Sequence, residues 1–86
     1  MSQEEMMARA ETVQQKYSDE LMRKKNVVGV AVGLAKENDT LTNEVALVVL
    51  VKEKVPWEQL APQDRIPRQL DGVRVDVQEV GEIRAF

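Results

Sequence analysis

The chain contains no cysteine and no histidine. The first absence excludes disulfides and thiol chemistry. The second removes the commonest general base and metal ligand, and the two together exclude ordinary zinc sites. Ser2 and Ser18 are the only serines, and neither has an imidazole to activate it. Aromatic residues are almost missing, with Tyr17, Trp57 and Phe86 the full set. No apolar run approaches the ~20 residues of a membrane-spanning helix. Glu4 and Glu5 stand where a secretory signal would carry its apolar core, so a cytoplasmic location is the default expectation. There is no surplus of positive charge either: 12 Lys and Arg against 15 Asp and Glu leave a net charge of −3. Arg23-Lys24-Lys25 is the one basic cluster. That balance disfavours a nucleic-acid binder, which usually presents a basic face.

What the chain has in quantity is valine, which favours strands. Its 86 residues point to a single domain, residues 1–86. A chain of this size buries only about 60% of its extended surface, so aliphatic packing or a partner must supply its stability.

Residues 2–25 read as one helix. Ser2 and Glu5 have the spacing of a capping box. Met6, Ala10, Val13, Tyr17 and Leu21 form one apolar stripe at three- and four-residue intervals. Asp19–Arg23 and Glu20–Lys24 are acid-before-base pairs one helical turn apart, and Arg23-Lys24-Lys25 compensate the negative end of the dipole. Asn26 is suited to a left-handed residue just beyond the helix end.

"NVVGVAVG", Asn26 to Gly33, is the first strongly apolar stretch. Its glycines lack the G-x-G-x-x-G spacing of a dinucleotide loop and no helix follows them. Nor is there a long apolar helix around them for a membrane dimer motif. Alternation explains the stretch better. Val28, Val30, Val32 and Leu34 share one side of a strand, and Val27, Gly29, Ala31 and Gly33 the other. "AKENDTLTN", Ala35 to Asn43, reads as a long hairpin loop. Glu44 to Lys54 is a second strand, apolar on both faces and therefore central or covered on both sides.

Residues 55–72 contain Pro56, Pro62 and Pro67, which forbid one long helix and suit short helical turns. Trp57, Leu60, Ile66 and Leu70 are spaced to act as core anchors, with an exposed hot spot for a partner the alternative for Trp57. Asp71-Gly72 is a turn signal. A third strand follows from Val73 to Val80, with Val73, Val75 and Val77 inward and Arg74, Asp76 and Gln78 outward. Val80 breaks the alternation and marks a bulge or the strand's end. The crossover allows this strand to lie parallel to the second.

The expected fold is therefore α+β. A long N-terminal helix, a β-hairpin, a proline-rich crossover with short helical turns and a third strand make a three-stranded mixed sheet with helices on one face. No catalytic residue, cofactor site or metal site is expected. Glu37, Asp39, Asp76 and Glu79 read as solvated charges, since neither loop nor outward strand face would perturb them. "KENDTLTNE" lacks the pattern of a calcium loop.

The informative feature is the other side of the sheet. Placing the small residues of the first strand beside the second pairs Gly33 with Ala46, Ala31 with Val48, Gly29 with Leu50 and Val27 with Lys52. Gly29, Ala31, Gly33, Ala46, Val48 and Leu50 then form a low apolar patch bordered by Arg74, Asp76 and Gln78. Such a patch with a polar rim suits an interaction face, and strand glycines admit close approach.

"NVVGVAVG", "EVALVVLVKEKVPWEQL" and "DRIPRQLDGVRVDVQEVGEI" together resemble the N-terminal region of a family of bacterial proteins with plant relatives, described as trypsin-like serine peptidases or peptidase-like proteins. The resemblance spans Asn26 to Ile83, and its most specific piece is I-P-x-x-L-D-G-V-x-V-D-V at Ile66 to Val77. It implies a non-catalytic leading module ahead of a double-barrel domain, with no triad residue on this chain. The abrupt end at Phe86 suits a cut at such a boundary. The expected partner is then an adjacent peptidase-like domain or another copy of the chain. The alternative is a free-standing homodimer that binds a small ligand, and a third reading is a nucleic-acid-binding α/β domain.

Overall fold

A computed structural model describes residues 2–81. Ile83, at the edge of the family resemblance, and Phe86, at the abrupt end, lie outside the described residues. The helix α1 runs Gln3–Met22. The Glu5 N–H donates to Ser2 Oγ at 3.1 Å, so Ser2 is the N-cap. Ala10, Val13 and Leu21 are buried, and Met6 and Tyr17 pack against the same core. The helix stops three residues short of its expected end. Arg23 is the C-cap, and tighter bonds from the Arg23 and Lys24 N–H groups to Glu20 and Leu21 carbonyls close the last turn. Asn26 has φ 73°, the expected left-handed residue. Lys24 and Lys25 are engaged elsewhere: Lys24 Nζ donates to the Gln63 carbonyl at 2.8 Å, and the Lys25 N–H to Asp64 Oδ1 at 3.1 Å. Neither Asp19–Arg23 nor Glu20–Lys24 forms an ion pair among the described residues. Among these residues no helix is long and apolar enough to cross a membrane.

β1 (Val27–Glu37) and β2 (Thr40–Val51) form an antiparallel hairpin. The expected long loop is absent. Asn38 and Asp39 alone turn the chain, with φ 51° and 65°, the left-handed pair that a two-residue hairpin requires. Two irregularities shape the hairpin. Val27 pairs with Val51 and Gly29 with Leu50, so Val28 is an extra residue bulged from β1. That places Val27 in the core and leaves Val28 42% exposed, the reverse of the parity expected from sequence. It also replaces the expected Val27–Lys52 pair. At the other end Leu34 pairs with Val45 and Lys36 with Leu41, so Ala35 faces three residues of β2, Thr42 to Glu44.

The crossover holds two 3-10 turns, Trp57–Gln59 after Pro56 and Pro62–Asp64. It delivers β3 (Gln69–Leu70) and β4 (Val73–Glu79), joined by the Asp71-Gly72 turn. The sheet therefore has four strands in the order β1-β2-β4-β3, not three. β4 lies parallel to β2, and β3 pairs antiparallel with β4. The extra strand is two residues long, with Leu70 and Val73 paired directly across a turn whose residues have φ 48° and 82°.

The core lies between α1 and the inner sheet face. Val45, Leu47, Val49 and Val51 of β2 meet Val73 and Val75 of β4, and Val30, Val32, Leu34, Ile66, Leu70 and Val77 pack around them. Trp57 is not an anchor of this core: it is 48% exposed. Its carbonyl accepts from Arg65 Nε at 3.1 Å, and the Arg65 guanidinium lies 5.3 Å from the centre of its ring. The turn at Asp71 is tied back to the helix. Tyr17 Oη donates to Asp71, and Lys16 Nζ pairs with Asp71 Oδ2, each at 3.2 Å. The hydrogen bond to Asp71 is the main cause that raises the Lys16 pKa above the ordinary lysine value.

Candidate interaction face on the outer side of the sheet

On the side away from α1, the register sets Gly29 beside Leu50, Ala31 beside Val48 and Gly33 beside Ala46. Arg74, Asp76 and Gln78 of β4 follow as neighbours of Ala46, Val48 and Leu50. The six residues read from sequence are thus brought together. The glycines are used for packing within the sheet. A Cβ at Gly29 would stand 3.3 Å from Leu50 Cδ1, and one at Gly33 would stand 3.3 Å from Val48 Cγ2. The β2 side chains lean into hollows that any larger residue would fill.

Part of this face is covered by the chain itself. Beyond Ala35 the hairpin tip folds across β2 towards β4. The Lys36 N–H donates to Asp76 Oδ2 at 3.0 Å. Arg74 Nη1 bridges Glu37 at 3.1 Å and Glu44 at 3.2 Å. Hydrogen bonds to Glu37 and then Glu44 raise the Arg74 pKa further above its already high ordinary value. The bend has a local cause: two surplus residues on β2 lengthen one strand of the hairpin and curl it towards the other side. Thr42 Oγ1 fixes the bend by donating to the Ala35 carbonyl at 2.9 Å while accepting from the Glu44 N–H at 3.2 Å.

The arm changes which residues a partner can reach. Ala35 and Ala46 are wholly buried and Val48 is 6% exposed. Ala31 is exposed, and Gly29, Gly33 and Leu50 are partly open. The accessible patch is therefore a strip along β1, narrower than the face expected from sequence. This strip belongs to an edge strand. On that strand Gln14 Nε2 donates to the Val30 carbonyl at 3.0 Å, so the helix satisfies one edge carbonyl.

Between the arm and β4 lies a polar cleft of about 500 Å³, bounded by Lys36, Asn38, Asp39, Lys54, Gln78 and Glu79. The carboxylates considered from sequence all have structural surroundings here. Glu37 pairs with Arg74, and Asp39 borders the cleft. Asp76 holds the Lys36 N–H and Gln78 Nε2, and Glu79 Oε1 accepts from the Lys54 N–H at 2.7 Å. Among the described residues no group of acidic side chains gathers closely enough to hold a metal ion. A second cavity, of about 200 Å³, opens beside Trp57 and is lined by Val51, Val55, Leu60, Ile66 and Val77. Small-molecule sites usually run from about 300 to 1,000 Å³, so this one is smaller than most.

Sequence reasoning misses the arm and the cleft. One signal for the arm is present: Asn38-Asp39 is a pair that tolerates left-handed backbone, set between two strand-forming stretches. Neither a protein-family model nor a characterised protein matches the chain at a significant level.

Proposed function

We propose that this chain is a non-enzymatic interaction module that docks a protein partner on the outer strip of its sheet. The observation that carries this reading is the low apolar strip of Gly29, Ala31 and Gly33 on the edge strand β1, with Leu50 of β2 beside it, Ala31 exposed and the others partly open. Apolar surface beside a polar rim is the usual composition of such interfaces. The resemblance of Asn26 to Ile83 to the leading region of trypsin-like peptidase-like proteins offers two partners: an adjacent peptidase-like domain, or a second copy. A second copy is tested by light scattering across a concentration series. The expected result is a mass that rises above the monomer for the native chain and stays at the monomer for Ala31→Lys. A monomer throughout for both chains would remove the second copy as partner.

The polar cleft favours a second reading, a small-ligand binder. Its volume falls in the range of ligand sites, and among the described residues Lys36 and Lys54 line it without ion-pair partners. Calorimetric titration with small dicarboxylates is the direct test, and absence of heat at millimolar ligand would dispose of an anionic ligand. A nucleic-acid role, the third reading, has the acidic balance against it. A gel shift that appears at low salt and vanishes as salt rises would restore it.

A further inference from the structure

The hairpin arm is a compact lever. Its tip is held by a two-residue turn, so it can move as a unit without losing its own pairing. Its base is the irregularity where Ala35 faces Thr42, Asn43 and Glu44, the place where the ladder between the strands is interrupted. The bonds that hold the arm down are few: the Lys36 N–H on Asp76, Glu37 and Glu44 on Arg74, whose side chains are 33–62% exposed, and at the base Thr42 Oγ1 on the Ala35 carbonyl. Segments held by few, solvent-near interactions open at low cost relative to the whole fold. The arm is held by Arg74 and Asp76, the β4 neighbours of the buried Ala46 and Val48.

We propose that two copies of this chain associate by exchanging arms, each arm seating on the outer sheet face of the other copy. The proposal rests on the reading of the outer face as a docking surface and names its occupant. The arm already complements the face on its own chain, with acid against Arg74, an N–H against Asp76 and buried alanines at its base. A second copy presents the same face with the same chemistry. Exchange of an identical element is a low-cost route to a dimer, since each bond given up within one chain is remade with the other. Charge supports the same occupant: the arm carries Glu37 and the seat carries Arg74, so a foreign partner would have to reproduce an acidic side chain that the second copy already has. The open strip on β1 adjoins the seat, and the exchanged pair would bury it as well.

Charge reversal separates exchange from its alternatives. Arg74→Glu sets a carboxylate on the seat against the carboxylates of its own arm. Glu37→Arg sets a cation on the arm against its own Arg74. Within each variant like charges oppose the seated arm. Between the two variants, every exchanged arm meets a seat of opposite charge. Light scattering of each alone and of a 1:1 mixture is the experiment, with circular dichroism confirming that both fold. The expected result is a monomer for each variant alone and at least a ten-fold larger dimer fraction in the mixture. A mixture whose mass equals the mean of the two separate samples overturns arm exchange.

Should either variant fail to fold, the absence of native cysteine allows a second measurement. The double variant Glu37→Cys, Arg74→Cys is oxidised at high concentration and run without reductant. Exchange gives a covalent dimer, whereas an arm that stays on its own chain gives only a covalent monomer. A native chain that dimerises, with Ala31→Lys monomeric and neither arm test positive, keeps the docking face and removes the exchange. A native chain that is monomeric throughout, with both arm tests negative, removes the two together.

Discussion

The main-chain N–H of Lys36 donates to Asp76 Oδ2 at 3.0 Å, joining the edge strand β1 to β4 over the top of β2. Strands two places apart in a sheet do not normally exchange a hydrogen bond. This one exists because the hairpin bends at Ala35 and returns over its own sheet. The same bond divides the outer face into a covered part, Ala46 and Val48, and an open part along β1.

Removing that acceptor should release the arm while leaving the core intact. Asp76→Ala is expected to lower stability by about 1–2 kcal/mol, the range for a partly exposed bond to a charged group. Hydrogen exchange is the sharper readout: the amides of residues 36–43 should exchange faster, and those of Leu47 and Val49 should hardly change at low denaturant.

The two strand glycines should differ when given a methyl group. At Gly29 the obstacle is the far end of Leu50, a flexible and half-open side chain that can move aside. Gly29→Ala is therefore expected to be neutral, or stabilising by up to about 0.5–1 kcal/mol through the lost freedom of glycine. At Gly33 the obstacle is a methyl of Val48, which is stiff at χ1 and buried. Gly33→Ala is expected to destabilise by about 1–2 kcal/mol as an overpacked site. Urea unfolding of the pair checks both signs.

Leu47 is wholly buried at the centre of β2. Leu47→Ala should cost about 2–5 kcal/mol. That is a large share of the roughly 5–10 kcal/mol available to a domain of this length. A clearly lower urea midpoint than the native chain's is the expected outcome, monitored by circular dichroism.

The dependence of stability on pH follows from the side chains present. With no histidine or cysteine, no side chain has an ordinary pKa between about 5 and 8, and the urea midpoint should be flat from pH 6 to 8. Lys16 acts at the alkaline end. Its pKa is raised in the fold by Asp71 and Tyr17, so its charged form favours the native state. That contribution is complete below the ordinary lysine value of about 10.4 and is lost as pH rises through the raised one. The pair is exposed and screened by solvent, so the effect should be small. Lys16→Met should remove it, giving a shallower fall in midpoint above about pH 10 than the native chain shows.

Much of the fold can be read because its patterns are local. The stripe from Met6 to Leu21 and the alternation of Val45, Leu47, Val49 and Val51 report which side faces the core, and the structure buries those sides. The three pairs from Gly29 to Gly33 follow from parity and a loop centred near Asp39 and Thr40; the turn lies one residue earlier, at Asn38-Asp39, and the two surplus residues of β2 restore the expected register. What escapes depends on three-dimensional context. Val27 and Val28 are chemically identical neighbours, so nothing local shows which one a bulge expels. Asn38-Asp39 lacks the glycine that usually marks a two-residue hairpin, and its turn is hidden inside a polar stretch. Trp57 reads as an anchor because it is large and apolar, but its side chain borders an open cavity of about 200 Å³ with Val51, Ile66 and Val77, and the ring remains at the surface with Arg65. The arm's seat on Asp76 joins residues 40 positions apart and leaves no periodic trace.

The most direct test of the outer strip as the interaction face is hydrogen exchange on the native chain at low and high protein concentration. Trp57, an exposed apolar side chain in the crossover outside the sheet, is an internal control. The expected result is slower exchange at high concentration for Gly29 to Gly33 and for the arm at residues 36–43. Unchanged exchange along β1, or protection confined to the segment around Trp57, would contradict the account.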